Sequence, residues 1–288
     1  MEIRKVGVVG CGLMGAGIAE TAARAGFETV VAEVTDEILE RGMARLRGSM
    51  QAAVEKKKLE AADMQAALGR LRGTTRREDF ADCDIVIEAI VENMPAKREV
   101  FGALDRIVKP GALLASNTSS LSITGMAAAT KRPERVLGLH FFNPVPVMKL
   151  LEIVRGLRTS DEAIAEARAF GERLGKQTIL AKDTPGFIVN LLLVPYLLGA
   201  IRAYENGLGS KEDIDTGAKL GLGHPMGPLT LLDYVGLDTT LYIADVMFEE
   251  FKGAEYAAPP LLRRLVAAGL NGRKSGRGFY DWSSGQPR

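Results

Sequence analysis

Two ionisable side chains stand where apolar ones belong. His140 lies in the run VLGLHFFNP, and Glu152 lies twelve residues later in KLLEIV. Such runs read as buried strands, and an imidazole or a carboxylate inside one is costly unless it finds a partner. Between them, NPVPVM carries Pro144 and Pro146, which end both strands. A fold-back centred on Pro146 sets position 140 opposite 152, so the simplest geometry pairs the two. The carboxylate would fix the tautomer and stabilise the imidazolium, making the other ring nitrogen a general base or acid near neutral pH. A core histidine merely satisfied by its neighbour is the other reading. Upstream, Ser116-Asn117-Thr118-Ser119-Ser120 supplies hydroxyls and an amide.

A second constellation opens the chain. The short strand IRKVGVVG leads into Gly10-Cys11-Gly12-Leu13-Met14-Gly15, and a helix follows to about Ala25. Strand, GxGxxG and helix come in the order a dinucleotide site requires. Gly10 permits the tight turn, Gly12 lets the backbone approach a pyrophosphate, and Gly15 allows close helix–strand packing. The helix N-terminus supplies amide donors. A glycine turn alone is weak evidence. Here a second strand, ETVVAE, ends in Glu33, 23 residues beyond Gly10, where a carboxylate accepts hydrogen bonds from a ribose. Glu33 repels a 2′-phosphate and Val34-Thr35-Asp36 offers no arginine, so NAD is expected over NADP.

These residues need a frame. Apolar spacing at Ile38, Leu39, Met43, Leu46 and Met50 predicts a helical arm over 36–72. Within it, Glu55-Lys56-Lys57-Lys58 falls where one helix gives way to the next. It reads as a solvated face, or as ammonium groups meeting an anionic substrate handle. DCDIVIEAIVEN (82–93) reads as a third strand with Glu88 and Glu92 at its C-terminal end, and Lys97 opens the next helix. GALLAS makes a fourth strand, which delivers Asn117, Thr118 and Ser119 to the carboxyl edge, where open α/β sheets bind ligands. The strands VLGLHF and KLLEIV, a helix (160–175) and the strand QTILA (177–181) follow. The expected fold is α/β, a Rossmann-type doubly wound and mostly parallel sheet over 1–184, with an added strand pair near the switch point. Beyond Asp183-Thr184-Pro185-Gly186 the strand pattern stops, and 185–288 reads as an all-α domain. One of its helices is expected to run from LTLLDYVG through DVMFEEF. Its helices are apolar on more than one face, which points to homodimerisation through this half. The second histidine, His224 in GHPMGPL, reads as structural.

The whole chain narrows the classes further. Its 288 residues suffice for two domains with real cores. A net charge of +1 argues against bulk nucleic-acid binding, while leaving room for a local basic pocket. Cys11 and Cys83 show neither metal-ligand spacing nor a disulfide framework, so a reducing, cytoplasmic setting is expected. GFIVNLLLVPYLLGAIRA is too short and too polar for a comfortable membrane span.

The segments GCGLMGAGIA, IEAIVENMPAK, ASNTSSLSIT, GLHFFNPVPVMKLLEIVRG, DTPGFIVN, HPMGPLTLLDYVGLDT and GRKSGRGFYDW together resemble the 3-hydroxyacyl-CoA dehydrogenase family, over almost the full length. The resemblance is to the short, single-function bacterial members often called 3-hydroxybutyryl-CoA dehydrogenases. It implies NAD-dependent oxidation of a (3S)-3-hydroxyacyl-CoA. His140 would be the catalytic base and Glu152 its orienting partner. Ser119 and Asn190 would bind the substrate's reacting oxygen, with Glu33, Glu92, Lys97, Asn117 and Ser119 lining the NAD site. Lys56 matches a family lysine near coenzyme A. The chain departs from the pattern at Leu191, where relatives commonly carry arginine, at Ala52, where some carry a lysine, and at Glu33, where aspartate is usual. The sequence admits two other readings. One is a dehydrogenase of free hydroxy acids on the same fold, and the other a non-catalytic NAD-binding sensor or structural dimer.

Overall fold

The computed structural model describes residues 2–288, which divide into two compact units, 2–184 and 185–288. The first begins with β1 (Lys5–Val9), α1 (Leu13–Arg24), β2 (Glu28–Ala32), α2 (Asp36–Glu55), α3 (Ala61–Leu68) and β3 (Leu71–Thr74). It continues with β4 (Ile85–Glu88), α4 (Met94–Ile107), β5 (Leu113–Ser116), α5 (Ile123–Ala127), β6 (Val136–Phe141), β7 (Leu150–Arg155), α6 (Asp161–Arg173) and β8 (Gln177–Lys182). The strands form one eight-stranded sheet in the order β3-β2-β1-β4-β5-β6-β7-β8. Every pairing is parallel except β6 with β7. This is the doubly wound Rossmann-type sheet that the alternating pattern predicts.

Helices cover the sheet on both faces, so its central strands are apolar throughout instead of alternating. All four residues of β4 and of β5, and all six of β6, are buried. The core runs from Ile18, Phe27 and Val31 through Ile85, Ile87, Leu137 and Leu139 to Phe170. Side-chain caps fix the helix starts: Thr35 accepts from Ile38 N, Asn93 from Ala96 N, and Ser160 from Ala163 N. The strand order reverses between β1 and β4, and the glycine turn leaves the sheet there.

Three local expectations change. The helical arm ends at Leu68 instead of 72, and Leu71–Thr74 pairs with β2 as an edge strand. That strand has one buried residue, the polar Thr74, so no apolar run announces it. The strand over 82–93 ends at Glu88, which leaves Glu92 in the loop before α4. The added pair β6–β7 lies beyond β5, away from the switch point.

The second unit consists of α7 (Val189–Glu205), α8 (Lys211–Gly221), α9 (Pro228–Val235), α10 (Leu237–Phe251) and α11 (Pro260–Ala267). The single helix expected across α9 and α10 breaks at Gly236, whose φ of 99° is foreign to a helix. Leu197, Leu198, Ile201, Leu232, Met247 and Leu262 form the core, closed by Phe279, Tyr280 and Trp282 from the C-terminal segment. Asp233 holds that segment. Its buried carboxylate accepts from Phe279 N, Tyr280 N and Trp282 Nε1 at 2.8–2.9 Å.

Candidate active site

The antiparallel register of β6 and β7 sets His140 directly opposite Glu152. The imidazole Nδ1 lies 2.6 Å from Glu152 Oε2, with His140 6% exposed and Glu152 fully buried. An ionised carboxylate can only accept, so Nδ1 carries the hydrogen and Nε2 is the nitrogen left to exchange a proton. The strand end is clamped from the side. Asn117 Oδ1 accepts from Phe141 N at 3.0 Å, and the Phe142 ring lies 4.4 Å from the imidazole.

Around this pair the ends of β4 and β5 build a polar network. Lys97, from the first turns of α4, is 1% exposed, and its ammonium sits 2.7 Å from Glu88 Oε1 and 3.0 Å from Glu92 Oε2. Glu88 also accepts from Ile90 N and Ser116 Oγ. Glu92 in turn accepts from Thr118 Oγ1 and from Ser119 N. The ammonium is thus committed to two carboxylates and bears on its surroundings through Glu92. Ser119 is held by its backbone, and its hydroxyl makes no hydrogen bond among the described residues.

The glycine turn can be tested against the cofactor it suggests. Gly10 has φ 95°, and a Cβ on Gly15 would lie 1.9 Å from Gly10 O, so both must be glycine. A Cβ at Gly12 would meet nothing, so the space above the turn is open. Gly12 caps α1 with no side-chain hydrogen bond, which leaves the first amides of the helix to an anion. Glu33 closes the turn, with Oε1 accepting from Cys11 N at 2.6 Å and Oε2 from Val34 N at 3.1 Å. Leu13, in the turn itself, and Val34, next to Glu33, are apolar and exposed. These residues fit NAD. Burial, with Glu33 beside it, pushes the Cys11 thiol up to about 11, so it stays protonated and is no nucleophile.

The remaining expected residues are placed as follows. Asn190 is buried in the first turn of α7. Lys56 is the exposed C-cap of α2 and forms no ion pair among the described residues. The Tyr196 hydroxyl lies 3.0 Å from His224 Nδ1.

Three contacts have partners that the sequence did not announce. Thr118 bridges to Glu92, and Arg45 reaches Cys11 O from α2 at 3.4 Å. The Asp183 carboxylate accepts from Ile123 N and Thr124 N at the start of α5. Thr118 stood in the hydroxyl cluster 116–120 and Asp183 in a turn-like Asp-Thr-Pro-Gly, but neither pattern named a partner.

Comparison with known proteins shows the family of the whole chain. The profile described as 3-hydroxyacyl-CoA dehydrogenase, NAD binding domain, matches residues 5–184. The one described as 3-hydroxyacyl-CoA dehydrogenase, C-terminal domain, matches 186–282. The 3-hydroxybutyryl-CoA dehydrogenase of Mycobacterium tuberculosis is 53% identical over 282 residues, covering 97% of this chain and 99% of that protein. The human mitochondrial hydroxyacyl-coenzyme A dehydrogenase is 46% identical over 287 residues, covering 97% and 91%. The crystal structure of (S)-3-hydroxybutyryl-CoA dehydrogenase from Ralstonia eutropha has a TM-score of 0.93 at 46% identity, covering 97% of this chain and 99% of that one. On both domain profiles and on relatives matched over nearly their whole length, this chain belongs to the 3-hydroxyacyl-CoA dehydrogenase family.

Proposed function

We propose that this protein catalyses the reversible NAD-dependent oxidation of a (3S)-3-hydroxyacyl-CoA, with 3-hydroxybutyryl-CoA as the substrate, to the 3-oxoacyl-CoA. The observation that carries the mechanism is the 2.6 Å contact between His140 Nδ1 and Glu152 Oε2 at the end of a strand three places from β1, which leads into the glycine turn. In oxidation, neutral His140 accepts the C3 hydroxyl proton at Nε2. Glu152 stabilises the imidazolium as it forms, and in reduction the same nitrogen returns the proton. NAD held by the glycine turn and Glu33 would supply the hydride acceptor for oxidation and, in its reduced form, the hydride donor for reduction. The Ser119 hydroxyl polarises the reacting oxygen, and the resemblance adds the Asn190 amide as a second partner of that oxygen. A donor that strengthens as charge develops contributes about 2.7–4 kcal/mol, by comparison with oxyanion-hole donors. Glu92 sets Ser119 through its backbone N–H, while Lys97 and Glu88 hold Glu92.

Gly10, Gly12, Leu13, Met14 and Gly15 with Glu33 would hold the adenosine and pyrophosphate end, and Asn117 the strand edge beside the nicotinamide. Lys56 would meet the coenzyme A phosphates. Exposed Leu192, Leu208, Leu220 and Leu222 on the helical unit support homodimerisation through that unit, which sedimentation analysis would test. No helix among the described residues is long and apolar enough to cross a membrane. Two buried, unpaired cysteines support a cytoplasmic setting.

The substrate reading is tested by NADH oxidation with acetoacetyl-CoA, longer 3-oxoacyl-CoAs and free acetoacetate. Turnover of the thioesters but not of the acid is expected. Equal turnover of acetoacetate would make this a dehydrogenase of free acids.

A further inference from the structure

A cleft of about 560 Å³ lies along the flank of the first unit, lined by α1, α3, the loop 146–149 and the end of α6. Its charge is strongly one-sided. Arg24, Arg70, Lys149, Arg173 and Lys176 line it against a single carboxylate, Asp63. This is the local basic pocket that a net charge of +1 leaves room for.

The cations are pre-positioned with little neutralisation. Arg70 donates to Ala23 O at 3.2 Å, and Arg173 to Ile3 O at 2.6 Å with its guanidinium 4.1 Å from the Phe27 ring centre. Each therefore spends one N–H on a backbone carbonyl and keeps the rest of its fork. Lys176 is buried, and its ammonium donates to Val145 O and Met148 O. Among the described residues, none of Arg70, Lys149, Arg173 and Lys176 is in an ion pair, and only Arg24 has a carboxylate, Glu20 at 3.0 Å. Burial first, then the charges of Lys149 and Arg24, push Lys176 below the usual lysine range. The groups are thus close enough to repel one another.

Like charges that outnumber their counter-ions around a ligand-sized cavity are stabilised by an anion. Guanidiniums held in place by carbonyls match the geometry of phosphate oxygens. The volume exceeds that of a single phosphate and falls within the range of small-molecule sites. We propose that this cleft binds a diphosphate-bearing anion. Two sources share that chemistry, a free nucleoside diphosphate and the ADP portion of an acyl-CoA. The second depends on the substrate reading above, whereas the first stands without it.

The test uses the whole protein with NADH saturating, so that the glycine turn does not compete for the probe. ADP is titrated at low ionic strength against wild type, Arg70→Gln/Arg173→Gln and Lys149→Gln, following the melting temperature. The last variant removes only an exposed side chain and keeps the test valid where the double variant folds poorly. The expected result is stabilisation of wild type by ADP, with affinity about tenfold weaker in the variants, the equivalent of one lost charge-assisted contact. KM values for acetoacetyl-CoA and acetoacetyl-pantetheine separate the sources. A rise confined to the coenzyme A ester assigns the cleft to the substrate's ADP portion, and unchanged values with weakened ADP binding assign it to a free nucleotide. The same ADP response in wild type and variants, or none in any, overturns the proposal.

Discussion

The histidine and its carboxylate were legible because each violates the apolar run that contains it, and one proline-marked fold-back joins them. Their contact is local in sequence, twelve residues across a hairpin. Thr118 with Glu92, Arg45 with Cys11 and Asp183 with Thr124 span 26, 34 and 59 residues, distances at which no periodic pattern records a partner. Arg45 also changes how the cofactor end is read. The sequence offered no arginine directly after Glu33, yet α2 brings one to the carbonyl of Cys11. Glu33→Ala is therefore expected to weaken NAD more than NADP, because the repelling carboxylate is gone while the guanidinium remains. Fluorescence titration with NADH and NADPH measures this, and equal weakening of both would free Glu33 of a role in reading the ribose. Glu152→Gln keeps the shape but removes the charge that stabilises the imidazolium. The oxidation rate should fall, and the acidic limb of its pH profile should move to lower pH. An unmoved limb would separate Glu152 from the proton transfer.

Elements follow the same logic of visible and hidden signals. The parallel strands were readable because burial on both faces makes them apolar throughout. The edge strand Leu71–Thr74 was not, since a strand with one buried residue carries almost no pattern. The break at Gly236 was hidden because a glycine inside a helical run is ordinarily tolerated, and only its positive φ forces the chain to turn. The C-terminal segment depends on one carboxylate that no periodicity marks. Burial pushes the Asp233 carboxyl above the usual range despite its three donors, yet those donors have no other partner of equal quality. Asp233→Ala is expected to destabilise the helical unit by about 3 kcal/mol, the cost of stranding buried N–H groups. Urea unfolding measures it, and a midpoint at the wild-type value would mean that the segment docks through its aromatic rings alone.

At the scale of the molecule, division into a sheet unit and a helical unit follows from where strand patterning stops, and the two family profiles meet at the same junction. Acid stability is a property of this scale, and Asp84 contributes to it. Burial would raise its carboxyl, but Lys109 and the amides of Lys5 and Arg4 outweigh that and hold it below the usual range. A depressed folded value means stability that is present above the unfolded value of about 3.9 and is lost as pH falls through the folded one. Asp84→Asn should therefore lower stability near neutrality and flatten its decline below about pH 4, as read by unfolding midpoints across that range. An unflattened decline would exclude Asp84 from the acid transition. On the proposed mechanism the sheet-borne His140 moves the proton in an NAD-linked reaction of an acyl-CoA. The most direct measurement is steady-state NADH oxidation with acetoacetyl-CoA by His140→Ala, beside NADH affinity from fluorescence. Turnover should fall by about 10²–10⁴-fold, the usual share of a general acid or base, with affinity nearly unchanged. Turnover within a few-fold of wild type would mean that His140 is not the group that moves the proton.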